Sequence, residues 1–359
     1  MTGTYRYEHT LKHASNRIGL IVTGLSVLAL STAMAPAEAT NAPAGRNFCS
    51  ATANNQFRAC KNEVWDEHFE FRAVCINLRN GAERRACQEE ASEEVAVGKA
   101  LCVAQRKARR ELCGQIGEAR YDPEFDPAGF ESDFRNLSNP NPYFPLTIGH
   151  EWRYAGGDET IVVQVLDETK SIEGVTCIVL NDRVEEDGEV VEDTDDWYGQ
   201  RLDGTVDYCG EISKNFELFE GDDPDVPELV DVEGSWKAGR DGAKAGTQFP
   251  AWPAQGAVYR QEWAPGDAED VAKVLSTVYR YGNDAALDQF VPRRLAGLFC
   301  ANADCIVTGE YTPIEPDVYE RKYYAPGIGL FLEIDPAAGE AVELVDCNFD
   351  PRCRMLAAP

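Results

Sequence analysis

The sequence predicts an α+β protein: a disulfide-stapled antiparallel helical hairpin followed by an acidic antiparallel β domain, a curved sheet or open barrel. Three observations carry that prediction. Cys49, Cys60, Cys75, Cys87, Cys102 and Cys113 are separated by 10, 14, 11, 14 and 10 residues, a pattern symmetric about Gly81. Proline is absent from Arg46 to Tyr121, where Ala, Glu, Arg, Gln and Leu, good helix formers, dominate. After residue 145 apolar residues recur with a period of two, the signature of half-buried strands.

Residues 1–39 read as an export signal. Arg6, Lys12 and Arg17 form a basic head, Ile18 to Leu30 is an apolar run, and Ala37-Glu38-Ala39 is a small-x-small cleavage pattern. The run is shorter than the ~20 residues that a membrane span needs, which argues against a retained anchor. No later stretch is long and apolar enough to cross a bilayer, so no integral span is expected after cleavage. All twelve cysteines lie beyond the leader, and an even count in an exported chain reads as disulfides. A periplasmic or secreted location follows as the expectation.

Charge is segregated. Residues 40–120 carry 13 basic and 11 acidic side chains, whereas residues 121–359 carry 18 and 49, a net of −31. Such a surface repels nucleic acid and anionic lipid, and favours cations and basic partners.

Residues 40–120 form the expected hairpin. At about 100° per residue, Cys49 and Cys60 lie about 20° apart around a helix and Cys60 and Cys75 about 60° apart, so the three share one stripe. Folding at the Arg79-Asn80-Gly81 turn sets Cys75 opposite Cys87, Cys60 opposite Cys102 and Cys49 opposite Cys113. Phe57, Val64, Phe71 and Leu78 continue the seam, with Ala91, Val95, Gly98 and Ile116 facing them. Trp65 and Phe69 point outward, to a binding face or to the second domain. His68 reads as a surface residue.

Residues 121–145, punctuated by proline and asparagine, are expected as a linker. Residues 146–345 are the expected β domain. Strands are predicted at 159–166, 174–184, 190–198 and 205–209, with Asp187-Gly188 and Asp203-Gly204 as hairpin turns. Further strands are predicted at 257–263, 271–281, 305–311, 320–324 and 330–334, with 271–281 also open to a helical reading. Residues 284–299 look like a helical insertion, Pro326-Gly327 like a turn, and 346–359 like a C-terminal tail.

Several segments resemble a family of secreted bacterial β-domain proteins of undefined function. They are Asn141 to Leu146 (NPYFPL), Asp193 to Tyr198 (DTDDWY), Gly234 to Gly239 (GSWKAG), Tyr259 to Glu262 (YRQE) and Lys322 to Leu330 (KYYAPGIGL). The hairpin ahead of Arg120 to Pro123 resembles one subgroup. The resemblance implies an extracytoplasmic β domain and supplies no catalytic residues.

Six cysteines remain, which allow 15 pairings. Local closure suggests Cys300–Cys305 and Cys347–Cys353, leaving Cys177–Cys209 across neighbouring strands.

Specific chemistry is sparse. No GxSxG elbow occurs beyond the leader, and only His68 or His150 could serve a triad as base. His150 begins HEWRY without the second histidine of a zinc protease motif. No cofactor motif is visible. Calcium is the reasonable small-ion candidate, because hard cations take several carboxylate oxygens. Asp222, Asp223 and Asp225 in a loop could supply them, as could Asp193, Asp195 and Asp196, whose alternate faces weaken that second cluster. Trp197, Tyr198, Trp236, Trp252, Tyr259, Trp263, Tyr323 and Tyr324 could line a concave sheet for a cationic ligand or sugar, or fill its core.

The expectation is therefore an exported non-enzymatic binding or envelope-associated protein, recognising an unknown protein or a cationic or small-molecule ligand. The alternatives are a hydrolase using paired carboxylates in the β domain, and a calcium-binding secreted protein. An apolar-lined cleft holding two acids with raised pKa values would favour the hydrolase; a shallow or filled sheet would favour the binding module.

Overall fold

The computed structural model describes residues 47–219 and 221–356; the expected export segment, 1–39, lies outside them. Two helices come first, α1 (Phe48–Ile76) and α2 (Gly81–Ile116). Asn80 caps α2, its side chain accepting the Ala82 N–H at 2.8 Å. Three disulfides, Cys49–Cys113, Cys60–Cys102 and Cys75–Cys87, join the pair at three levels. Gly98 lets the helices meet: a Cβ there would stand 2.7 Å from Val64 Cγ2. His68 is not a free surface residue, because its Nδ1 contacts the Ala91 carbonyl on α2 at 2.7 Å. Trp65 and Phe69 remain exposed, 42% and 61%, with the Lys99 ammonium 3.9 Å above the Trp65 ring.

Fifteen strands follow among the described residues. They are β1 (Glu151–Gly156), β2 (Glu159–Ile172), β3 (Val175–Glu186), β4 (Glu189–Gln200), β5 (Val206–Glu217), β6 (Glu228–Asp231), β7 (Trp236–Lys237) and β8 (Lys244–Phe249). After them come β9 (Val258–Arg260), β10 (Glu262–Trp263), β11 (Val271–Tyr279), the helix α3 (Arg293–Phe299), β12 (Cys305–Tyr311), β13 (Glu320–Ala325), β14 (Gly329–Asp335) and β15 (Glu340–Cys347). The order is β10-β8-β5-β4-β3-β2-β1-β15-β14-β13-β12-β11-β9, antiparallel throughout, with β6 and β7 on β5.

The expected single strand at 257–263 is two, and this split closes the barrel. β9 pairs with β11 at one edge, β10 with β8 at the other, and Gln261 joins them. Six residues thus touch both ends of the sheet. Gly246 on β8 permits the crossing, since a Cβ there would lie 2.0 Å from the Gln261 carbonyl oxygen. Gly246→Ala is expected to destabilise by about 1–3 kcal/mol through overpacking. Gly297→Ala, at an exposed helical site with open space around it, is the control and should not lower the melting temperature.

Other expectations need correcting. Residues 121–145 are not a free linker: Phe130, Phe134 and Asn141 are buried, and Glu131 N–H bonds the Gln200 carbonyl at 2.8 Å. Apolar side chains between the turn residues dock the segment on the sheet. The sheet does not end at Ile334, because β15 follows and pairs with β1. The tail begins inside it, with Cys347 bonded to Cys353. Of the insertion at 284–299, only α3 is helical. That insertion covers the barrel's outside: Arg321 Nη2 and the Tyr323 hydroxyl donate to the Gln289 and Leu287 carbonyls at 2.8 and 2.6 Å.

Cys177–Cys209 and Cys300–Cys305 are also bonded. Six disulfides fit an oxidising compartment. No helix among the described residues is long and apolar enough to cross a membrane.

Candidate functional site

A cavity of about 220 Å³ lies within the barrel. Strand periodicity builds its wall. Trp152 and Tyr154 on β1, Leu180 and Asp182 on β3, Asp196 and Tyr198 on β4, and Lys322 and Tyr324 on β13 are each two residues apart and so share a face. A bulge in β14 opposite Tyr323 and Tyr324 breaks the alternation, so that Leu330 and Glu333, an odd spacing apart, both reach the cavity.

Phe144 and Pro145 line it from the segment ahead of the sheet. Asn141, 2% exposed, fixes that segment. Its Oδ1 accepts the N–H groups of Tyr143 and Phe144 at 2.9 and 3.2 Å, and its Nδ2 donates to the Gly204 carbonyl at 2.9 Å. Gly329, at φ +88°, leaves room for the plug, because a Cβ would lie 3.2 Å from Pro145 Cδ. Trp152 Nε1 and the Tyr154 hydroxyl donate to the Ile328 and Leu330 carbonyls at 2.7 and 3.1 Å. The aromatic wall is therefore held rigid by bonds to main chain.

The polar groups fall into two sets. In the first, Lys322 Nζ stands 3.3 Å from Glu310, 3.5 Å from Glu320 and 3.4 Å from Glu333. Burial pulls its pKa down, but the three carboxylates outweigh burial and hold the ammonium well above its usual value. Glu310 also accepts the hydroxyls of Thr308 and Tyr324 at 2.6 and 3.0 Å.

The second set has carboxyls that make no ion pair among the described residues, with Lys322 across the cavity only partly offsetting the burial of Asp182. Burial, reinforced by Asp196, raises the pKa of Asp182 well above the ordinary carboxyl value. Asp182 Oδ1 is buried and has no hydrogen-bond partner among the described residues. Burial pushes Asp196 up to about 7, against the opposing hydrogen bond from Tyr208. The Tyr208 hydroxyl touches Asp196 Oδ1 and lies 2.9 Å from Glu211 Oε2. A phenol has one proton to donate, so a carboxyl proton must complete one of these contacts. Glu211 is raised as well, by burial and then by Glu262. At neutral pH this wall is an acid array that retains protons.

The residues singled out on sequence are dispersed. Asp222, Asp223 and Asp225 sit exposed between β5 and β6. Asp193 and Asp195 turn away from Asp196 and are tied by Asn181 Nδ2 at 2.8 and 3.1 Å and by Lys214. No group of three or more His, Cys, Asp or Glu among the described residues is placed to hold a metal ion. All twelve cysteines are in disulfides. His150 stacks on Phe349 with ring centroids 3.9 Å apart.

Of the aromatic set, Tyr198 and Tyr324 reach the cavity. Trp236 donates to buried Glu262 at 3.1 Å, Tyr323 packs outside against Tyr279, and Trp252 is 86% exposed. Trp152, Tyr154, Asp182 and Lys322 were missed as site residues. The signal for Asp182 was an acid in the inward phase of an apolar strand, and for Trp152, Tyr154, Lys322 and Tyr324 the period-two spacing of large side chains along EWRYAG and ERKYYA. Three resembling segments, NPYFPL, DTDDWY and KYYAPGIGL, nevertheless converge on this one cavity. No family model, curated protein or solved structure matches the chain, so the site is read from its own residues alone.

Proposed function

We propose that the protein is an exported binding protein whose barrel takes a small organic cation, an amine on an aromatic or aliphatic body. The observation that carries this reading is an aromatic-walled cavity whose Asp182 keeps a buried carboxyl oxygen unpartnered. Its volume of about 220 Å³ is below the ~300 Å³ of drug-sized pockets, which points to a compact ligand. The resemblance to secreted bacterial β-domain proteins belongs to the same proposal, as does a periplasmic or secreted location.

An ammonium group binds the ionised carboxyl. Because burial raises Asp182 well above the ordinary carboxyl value and Asp196 to about 7, an ammonium that binds the ionised carboxyls must displace a proton at the pH values where they hold one. Phenethylamine affinity is expected to rise with pH, by up to about tenfold per unit, across the range in which the carboxyls it meets hold a proton. Asp182→Asn is expected to weaken it about 10- to 100-fold, the loss of a charge-assisted hydrogen bond. Calorimetry at several pH values with phenethylamine and the neutral phenethyl alcohol checks both. Equal binding of the alcohol, or no heat from either probe, would sink the reading.

One observation favours a second reading, hydrolysis by paired carboxyls. Asp182 and Asp196 lie on adjacent strands on one face, and burial raises the pKa of each, so that two neighbouring carboxyls can hold a proton near neutral pH, as an acid and base pair requires. A screen of nitrophenyl glycosides and esters tests it: turnover abolished by Asp196→Asn supports it, and no turnover by the wild-type chain ends it.

A further inference from the structure

A second cavity, of about 530 Å³, lies at the seam between the hairpin and the barrel. Its chemistry is opposite to that of the first. In a chain of net charge −28, this cavity is lined by three arginines, Arg109, Arg120 and Arg260, and by one carboxylate, Glu269. Arg109 and Arg260 are 6% and 9% exposed.

Glu269 is already committed. Both its oxygens face Arg109, at 2.7 to 3.0 Å, and Oε1 also accepts the Gly266 N–H at 2.9 Å. One carboxylate thus serves two buried guanidinium groups. Arg109 Nη1 and Arg260 Nε are buried and without hydrogen-bond partners among the described residues. Arg260 Nη2 contacts a disulfide sulfur, Cys49 Sγ, at 3.9 Å, and its guanidinium carbon lies 5.7 Å from the centroid of the Tyr121 ring, neither of which is an anionic partner. Leaving buried cationic donors unmatched is costly, and a carboxylate or phosphate is the group that matches an arginine fork. Much of the rest of the wall is aromatic or apolar: Phe48, Tyr121 and Trp263 line it, with Tyr121 and Trp263 ring centroids 5.6 Å apart, beside the polar Thr52 and Thr247.

We propose that this seam binds a small organic anion, a carboxylate or phosphate group held by Arg260 and Arg109 with its aromatic or apolar body against Tyr121, Trp263 and Phe48. The ligand touches both parts of the molecule and so stabilises the docking of the hairpin. The site is separate from the barrel cavity and of opposite charge preference, so it stands or falls independently of the amine reading.

The test uses the full disulfide-bonded chain, with phenyl phosphate, benzoate and inorganic phosphate as probes, read by calorimetry and melting temperature. Phenyl phosphate or benzoate is expected to bind and raise the melting temperature, and inorganic phosphate to bind at least tenfold more weakly. Arg260→Gln should weaken the organic anion about 10- to 100-fold, the loss of charge-assisted hydrogen bonds. Arg120→Gln, an exposed position on the same wall that does not endanger folding, should weaken it severalfold. Lys107→Gln removes an exposed cation outside the cavity and should change nothing. No binding of either organic anion, equal loss in Lys107→Gln and Arg120→Gln, or inorganic phosphate binding as tightly as phenyl phosphate would overturn the proposal.

Discussion

Arg109→Met is expected to destabilise the docked hairpin by about 3–5 kcal/mol, because it leaves the Glu269 carboxylate buried without its cation. Both side chains are nearly sealed, 7% and 5% exposed, and three hydrogen bonds join them. The cost comes from the stranded charge more than from the lost contact. Arg109→Met together with Glu269→Met should therefore recover most of the loss, as two apolar groups need no solvation. The neighbouring contacts are neutral and weaker: Gln56 Nε2 and Gln105 Nε2 donate to the Pro265 and Ile314 carbonyls at 2.8 and 2.9 Å. Because three disulfides hold the hairpin itself, the single variant should release it from the barrel while leaving it helical. Thermal unfolding combined with hydrogen exchange over residues 258–270 checks this. A single variant as stable as wild type, or a double variant as damaged as the single, would show that the pair is solvated and does not anchor the hairpin.

The parts of this molecule legible in its sequence are those set by local spacing. Cysteine symmetry about Gly81 foreshadowed the hairpin, and alternation located β3, β4, β12 and β13 to within a few residues. Closure was not legible, because it is a property of distant pairings. Nothing in Glu151–Gly156 says that Trp152 will face Cys347, and nothing in Val258–Trp263 says that one short segment will serve two edges. β8 was missed for a physical reason: Ala245 and Gly246 are small because another strand passes close by, and alanine and glycine carry little strand signal. The cavity was half legible. Tyr198 and Tyr324 were among the expected aromatics, but whether they filled a core or lined a space depended on the diameter of the closed sheet. Asp182 lies beside Asn181 in an apolar strand, and only its inward phase distinguishes it from a surface acid.

Lowering the pH from about 8 to about 5 is expected to stabilise the protein, the reverse of ordinary acid denaturation. The cause is the set of buried carboxyls. Burial pushes Asp196 up to about 7 and Asp207 to about 6, the latter despite the Arg201 guanidinium 2.7 Å away. Asp182, Glu211 and Glu262 are raised in the same direction by burial. In the unfolded chain these groups return to ordinary values near 4. Between about 4 and 7 the folded state therefore binds more protons than the unfolded state, and its advantage grows as pH falls. That stabilisation is complete below the unfolded values and is lost as pH rises through the folded ones. At ~1.4 kcal/mol per unit, Asp196 alone accounts for a contribution on the order of 3 kcal/mol. The opposing groups are fewer: burial lowers His150, half-buried, so the unfolded chain takes up that one proton more readily as pH falls below about 6.5. Glu118, Asp122, Asp133 and Asp350 have lowered values, set first by side-chain hydrogen bonds to Ser50, Lys244, Asn136 and Arg352, but the first three lie at the surface, where solvent screens such interactions, and all four lose their protons below the range considered. The chain's net charge of −28 at neutral pH adds self-repulsion of the same sign, which protonation relieves. The melting temperature should thus be higher at pH 5 than at pH 8 at fixed ionic strength, and Asp196→Asn should flatten that difference by stabilising the chain at pH 8. A melting temperature that climbs from pH 5 to pH 8 would mean that the buried acids are ionised and paired. In that case the barrel wall would hold no protons to release, and the pH dependence expected of amine binding would disappear with it.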